Sequence, residues 1–171
     1  MRIETQRLVI TELTKMDAPF FFDLVNDEDW KRFIGDRNIK THQDAEDYLT
    51  NKVISSYKKF GFGFYLVSDK NSGIPLGISG FVDRDGMEFV DVGFAFLPAG
   101  RKKGYGYEST KALLEHGQKN LKFDTVLAIA NKNNERSHAL LKKLGFRFSK
   151  HIKLNKEENE LCLFTNQKGD K

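Results

Sequence analysis

Apolar and polar residues alternate over residues 3–13, IETQRLVITEL, which predicts a first strand with Leu8, Ile10 and Leu13 turned inward. Asp17 stands where an N-cap would open a helix over 18–26, a segment rich in Phe20, Phe21, Phe22 and Leu24. The acidic stretch NDEDW at 26–30 leads into a short helix or loop ending near Gly35. Thr41 is placed to cap a helix from 42 to 59, in which Ala45, Tyr48, Leu49, Val53 and Tyr57 recur at helical spacing. The period then falls to two. Strands are expected over 61–69, 74–83 and 87–97, with turn chemistry at 70–73 and at Asp85 and Gly86, forming an antiparallel meander. A helix over 104–119, a strand over 123–130, a helix over 134–144 and strands over 146–154 and 160–165 follow. That order predicts an α+β fold, with one mixed, mostly antiparallel sheet flanked by helices.

The length of 171 residues suits one domain, so 1–166 is read as a single domain and 167–171 as a polar tail. A hydrophobic fraction of 39% is low, but 15 Phe, 5 Tyr and 1 Trp supply the bulky groups that disordered chains lack. No stretch approaches the roughly 20 apolar residues of a membrane span. The start, MRIETQRLVI, has no apolar run of a secretory signal, so a cytoplasmic protein without a membrane partner is expected. The single cysteine, Cys162, cannot close an internal disulfide, and it reads as a small core residue. The four His are scattered, and with no CxxC or HExxH no metal site is expected. His116 and His138 read as surface or interface residues.

Charge is distributed unevenly. Residues 1–100 hold 12 Lys/Arg against 16 Asp/Glu, whereas residues 101–153 hold 13 against 4. Such asymmetry suits a polyanionic partner of the second half, or a solvated basic face. Nucleic acid and a phosphorylated cofactor are the two anions to distinguish.

The segment FAFLPAGRKKGYGYESTKALLEHG at 94–117 narrows the choice. A hydrophobic strand ends at Leu97 and Pro98, and a basic loop with two glycines runs directly into a helix. A helix start presents unpaired N–H groups and partial positive charge, and glycine lets backbone approach phosphate oxygens. An ordinary strand–helix turn would use the same residue types. The loop is neither a Walker loop nor a dinucleotide G-x-G-x-x-G, whose third glycine is Ser109 here.

The spacing Arg101-x-x-Gly104-x-Gly106 resembles the pyrophosphate-binding motif of the GNAT superfamily of N-acetyltransferases. Asn134, Ser137 and the run LLKKLGF at 140–146 are similar to that superfamily's second signature helix. The opening ETQRL at 4–8 resembles the T-x-R-L start of the RimJ/RimL-type branch, the ribosomal-protein N-terminal acetyltransferases. The resemblance extends from about residue 4 to residue 165. It implies acetyl-CoA as co-substrate and an amine acceptor, either a small molecule or a protein N-terminus. A homodimer is an open alternative to a monomer.

By this resemblance the backbone of Phe94, Ala95 and Phe96 would run beside the pantetheine arm. The loop Arg101, Lys102, Lys103, Gly104, Tyr105, Gly106 and Tyr107 would hold the pyrophosphate, mainly through backbone N–H groups. Lys102 departs from the glycine that many relatives have there. Asn134 would bond the amide arm, a role that a helix N-cap does not exclude. Glu108, in the first helical turn, is read as a capping carboxylate. Gly145 and Phe146 would end the helix and begin a core strand.

Direct attack of an amine on the thioester needs a base, an oxyanion donor and an acid for the leaving thiolate. A backbone N–H of 94–97 is the expected oxyanion donor. The Tyr that many relatives use as acid is Leu141 here, so Ser137 is the candidate acid, with a plain packing serine as the other reading. Asp91 is the candidate base, sharing a strand face with Gly93 and Ala95. Glu88, Asp83, Glu12 or a water chain are the alternatives. The acidic cluster Asp27, Glu28, Asp29 and Asp36 would favour cationic acceptors, beside an apolar wall of Trp30, Phe33 and Tyr48.

A non-catalytic CoA-binding module of the same fold is the second reading, and the missing Tyr supports it. A nucleic-acid binder is the third, but no helix-turn-helix, RRM signature or zinc finger accompanies the basic segment. The basic loop lies inside the pyrophosphate motif, so no nucleic-acid partner is expected.

Overall fold

In the computed structural model, which describes residues 1–156 and 159–169, one mixed sheet runs through the molecule. Its strands are β1 (Arg2–Glu4), β2 (Leu8–Glu12), β3 (Phe64–Asp69), β4 (Pro75–Val82), β5 (Asp91–Phe96), β6 (Leu127–Asn131), β7 (Arg147–Ile152) and β8 (Leu161–Thr165). They lie in the order β1-β2-β3-β4-β5-β6-β8-β7. Every neighbouring pair is antiparallel except β5 and β6. Those two pair only at Asp91↔Leu127 and Val92↔Ala128, and the strands then part. Of the tail expected at 167–171, positions 170 and 171 lie outside the described residues.

Alternation along the strands buries both sheet faces. Tyr65, Val67, Phe81 and Val92 point into one core with Leu113, Leu141 and Phe164. Leu66 and Ile78 point into the other, with Phe21, Leu24, Trp30, Ala45 and Leu49. The first core is covered by α5 (Tyr105–Asn120) and α6 (Glu135–Lys143), the second by α1 (Ala18–Val25), α2 (Glu28–Phe33), α3 (His42–Tyr48) and α4 (Ser55–Phe60). A strand covered on both faces tolerates few exposed positions, and six of the eight residues of β4 are buried.

Several expected boundaries shift for local reasons. The single strand over 3–13 is two strands, because Thr5 Oγ1 accepts from Leu8 N–H (3.0 Å) and reverses the chain. The strand over 87–97 begins only at Asp91. Val82 pairs directly with Asp91, so residues 83–90 are a loop, not a two-residue turn. The strand over 123–130 begins at Leu127, because Phe123 N–H closes the end of α5 on Gly117 O (3.0 Å). Asp17 does not cap α1: its carboxylate accepts from Thr14 N–H (2.7 Å) in a capping box one turn earlier. Thr41 does cap α3, and Asp44 completes a reciprocal box.

The helix expected over 42–59 is continuous, but residues Leu49–Ile54 are wound as π-helix. Ala45, Leu49 and Val53 are buried at steps of four, and Tyr57 continues the row partly buried. An α-helix rotates such a row by about 40° per step, and wider π turns return it to the core.

Candidate active site

Where β5 leaves β6, residues 93–96 keep β4 on one side and have no strand pairing on the other. The opening is a cleft of about 1290 Å³. Of the residues expected at the site, Asp91, Phe94, Ala95, Phe96, Arg101 and Lys102 line it from the β5 side. Gly104, Tyr105, Gly106 and Tyr107 line it from the start of α5, and Asn134 and Ser137 from α6. Lys103 is exposed and does not line the cleft.

The start of α5 has the features that suit an anion. Gly104 is its N-cap, in the left-handed region (φ +81°), and no side chain caps the helix. The N–H groups of residues 105–107 therefore have no intrahelical partner. Lys102 is also left-handed (φ +59°), which accounts for the glycine that similar loops carry there. Gly106 has a packing reason: a Cβ would lie 3.0 Å from Leu140 Cδ2 on α6.

The N-terminal motif braces this loop. Glu108 Oε1 accepts from Thr5 Oγ1 (2.7 Å) and Arg7 N–H (2.8 Å), and Oε2 from Arg7 Nε (2.7 Å). Arg7 also donates to Lys103 O (2.8 Å) and lies over the Tyr105 ring at 4.6 Å. Glu108 is thus an anchor for the chain start, not the helix cap expected from sequence. Burial would raise its carboxyl, but Thr5 and Arg7 outweigh it and hold it below the usual carboxylate range.

Arg101 is committed elsewhere. Its Nε donates to Phe96 O (3.0 Å), and its Nη groups pair with Asp27 and, at 3.3 Å, with Asp29. Asp29 also pairs with Arg136 of α6. The Arg101 guanidinium is therefore engaged by protein groups in this arrangement. Two of the four carboxylates of the acidic cluster, Asp27 and Asp29, are neutralised by these pairs, which removes half of the charge basis for cationic acceptors.

Asn134 caps α6, its Oδ1 accepting from Ser137 N–H (3.2 Å). Its Nδ2 has no partner among the described residues. Ser137 occupies the first turn, half-buried, and its Oγ also has no partner among them. Buried Ser109 shows what a packing serine does instead: its Oγ donates back to Tyr105 O (2.8 Å). Leu141, in place of the common Tyr, is 1% exposed and belongs to the core.

Asp91 lies at the root of the split between β5 and β6, its side chain 3% exposed. Its Oδ2 accepts from Arg84 Nε at 2.5 Å. Burial pushes this carboxyl up, and Arg84 opposes the shift without cancelling it. Asp83 and Glu88 are exposed, and Glu12 sits at the end of β2 beside the N-terminal amine (3.6 Å). Trp30, Phe33 and Tyr48 all line the cleft, although Trp30 is a core residue and Tyr48 stacks on Phe21. Cys162 is buried and its thiol is pushed up by burial, in keeping with a core residue. His138 is half-buried, with Nε2 2.9 Å from Asn131 O, and is less exposed than the sequence reading had it. Among the described residues no group of His, Cys, Asp and Glu is placed to hold a metal ion, and no helix is long and apolar enough to cross a membrane.

Residues 7–147 match the Acetyltransferase (GNAT) domain. The chain belongs to the GNAT acetyltransferase family. An uncharacterized N-acetyltransferase of Bacillus subtilis strain 168, YnaD, is 26% identical to this GNAT chain over 147 residues, covering 86% of it and 83% of YnaD. Among solved structures, RimL, a ribosomal L7/L12 alpha-N-protein acetyltransferase in complex with coenzyme A, superposes with a TM-score of 0.82 at 14% identity. That match covers 96% of this chain and 97% of RimL. Spermidine N-acetyltransferase from Vibrio cholerae, in complex with CoA and spermine, gives 0.77 at 13% identity, covering 94% and 95%. The family match makes the protein an acetyltransferase, and the two solved structures share its fold.

The sequence did not reveal the roles of Arg84 and Arg136, nor that Asp27 and Asp29 are paired. The Arg101–Asp27 and Arg136–Asp29 contacts join positions 74 and 107 apart in the chain, and Arg84 reaches Asp91 only once β4 pairs with β5. The NDEDW run was visible, but nothing local shows which cations it meets.

Proposed function

We propose that this protein is an acetyl-CoA-dependent N-acetyltransferase in which a primary amine attacks the thioester directly, within a ternary complex. The observation that carries the reading is the opening between β5 and β6, which faces an uncapped, glycine-led helix start on one side and Asn134 and Ser137 on the other. Acetyl-CoA would supply the activated acyl group, and the residues present fit it. Backbone N–H groups of 102–107 would hold the diphosphate, and the unpaired edge of 93–96 would bond the pantetheine amides.

A backbone N–H of 94–97 would donate to the carbonyl oxygen as it gains charge. Asn134 Nδ2 would bond the arm while Oδ1 keeps its capping bond. Ser137 Oγ, unengaged and in the first turn of α6, would donate to the leaving thiolate, helped by the positive end of the helix. Asp91 would accept the ammonium proton, because burial brings its carboxyl closer to a useful range than a solvated aspartate. The acceptor is a primary amine, either a protein N-terminus or a polyamine, the classes named for RimL and for the spermidine enzyme. Thiol release from acetyl-CoA with a panel of both tests the reading. Release that depends on an amine supports it, and CoA binding without any release would leave a cofactor-binding module.

A further inference from the structure

The helices on the two sides of the cleft, α2 and α6, pack into different cores. The β5 wall continues into the loop that Arg101 opens, and α2 beside it packs into the core with Phe21 and Leu24. The opposite wall is β6 and α6, which pack into the core with Leu141 and Phe164. A single carboxylate bridges them. Asp29, in the first turn of α2, pairs with Arg101 at 3.3 Å and with Arg136 of α6 through the same oxygen, Oδ2. Arg101 passes the connection on, since its Nε holds the carbonyl of Phe96, the last residue of β5. Arg136 stands between Asn134 and Ser137 and, like them, lines the cleft, as do Leu140, Leu141 and Lys143 further along α6.

The network is built for position, not for stability. Asp27 alone, with its side chain 13% exposed, already neutralises Arg101. The added link to Arg136, which is 53% exposed, contributes little to folding as an isolated pair. The link runs from the end of β5, through Arg101 and Asp29, to Arg136 at the start of α6. Reacting groups misplaced by an ångström lose much of their rate, so the separation of these two ends matters to catalysis.

We propose that Asp29 is a positioning residue for the acyl-CoA site, fixing through Arg101 and Arg136 the width of the gap in which the pantetheine arm lies. The proposal rests on the acetyl-CoA reading above. In that arrangement Asp29, although it lines the cleft, acts on CoA through the two arginines it holds.

The test is a double-mutant cycle on the full chain, with Asp29→Asn, Arg136→Gln and the double variant. CoA affinity is read by calorimetry, with KM for each substrate from thiol release and Tm as a folding check. Each single variant is expected to weaken CoA binding about five- to tenfold and to raise KM for acetyl-CoA with it, while KM for the amine stays within about twofold. The double variant is expected to lose no more than the worse single variant. Independent, additive losses would overturn the proposal, because Arg136 would then act on CoA directly. Tighter CoA binding by Asp29→Asn would also overturn it, since the network would then be a closure that CoA must break. Unchanged binding in every variant has the same consequence. Should Asp29→Asn not fold, Asp29→Glu keeps the charge while moving it, and unchanged CoA affinity there contradicts the positioning role. A wild-type protein that binds no CoA would instead bring down the acetyl-CoA reading itself.

Discussion

Arg7 and Glu108, 101 residues apart, are joined by a backbone and a guanidinium hydrogen bond that together fix the start of the chain on the first turn of α5. Arg7 reaches on to Lys103 O, so the N-terminal T-x-R-L segment shapes the loop expected to hold the diphosphate. Replacing Arg7 by Ala removes charge-assisted bonds to a half-buried carboxylate from a partly exposed guanidinium, for which about 1 kcal/mol is expected. The predicted result is a Tm lower by a few degrees and weaker CoA binding, measured by calorimetry. Lost stability with intact CoA affinity would confine Arg7 to the fold.

The same contact has a signed pH dependence. Glu108 sits below its ordinary value in the folded chain, so its contribution is complete above the unfolded value, about 4.3, and is lost as pH falls through the folded value. Denaturant unfolding of wild type and Glu108→Gln from neutral pH to about pH 3 should therefore show a gap that narrows on acidification. A gap that widens toward acid would mean that the carboxylate is not what holds Thr5 and Arg7.

Much of the architecture was legible in local pattern. The order of helices and strands, the glycine loop and the Asn134 cap follow from period and residue type. The π segment was not legible: Ala45, Leu49, Val53 and Tyr57 step by four, a spacing that reads as an ordinary α-helix. The pairs that complete the site were not legible. Whether Asp29 is a solvated acid or a bridge between two arginines depends on the sheet bringing α2 and α6 together. Arg84 likewise reads as a loop cation until the register Val82↔Asp91 folds it back onto Asp91.

Ser137→Ala should lower kcat by about 10- to 100-fold, the worth of one hydrogen bond to a charged sulfur, with CoA affinity nearly unchanged. Ser109→Ala should instead affect stability only, because its hydroxyl is spent on Tyr105 O. Steady-state thiol release beside calorimetry separates the two, and an unchanged kcat in Ser137→Ala returns that serine to a structural role.

Asp91 must be deprotonated to act as base, and its burial raises the pH at which that happens. The kcat/KM profile should therefore fall on the acid side at a pH above about 4, the ordinary aspartate value. Arg84 opposes the shift, so Arg84→Gln should move this limb to higher pH, and Asp91→Asn should remove most of the activity. A limb that Arg84→Gln leaves in place, or an active Asp91→Asn, assigns proton removal to water.

Lys102 adopts a backbone conformation that side chains disfavour by about 1–2 kcal/mol. Lys102→Gly relieves it while adding unfolded-state entropy, so stability should change by less than about 0.5 kcal/mol in a denaturant titration. A clear loss would contradict the strained geometry. In CoA titrations Lys102→Ala should cost less affinity than Gly104→Val, which blocks backbone approach at a left-handed position. The reverse ranking would mean that the Lys102 side chain, not the backbone, holds the anion.

The central claim is direct acetyl transfer from acetyl-CoA to an amine in the cleft between β5 and β6. Mass spectrometry of both protein and acceptor, after incubation of the wild type with acetyl-CoA and a primary amine, tests it most directly. The predicted result is an acceptor carrying one acetyl group, amine-dependent thiol release, and a protein of unchanged mass when the amine is omitted. An acetyl group retained on the protein without amine, or an acceptor left unmodified while CoA binds, would contradict it.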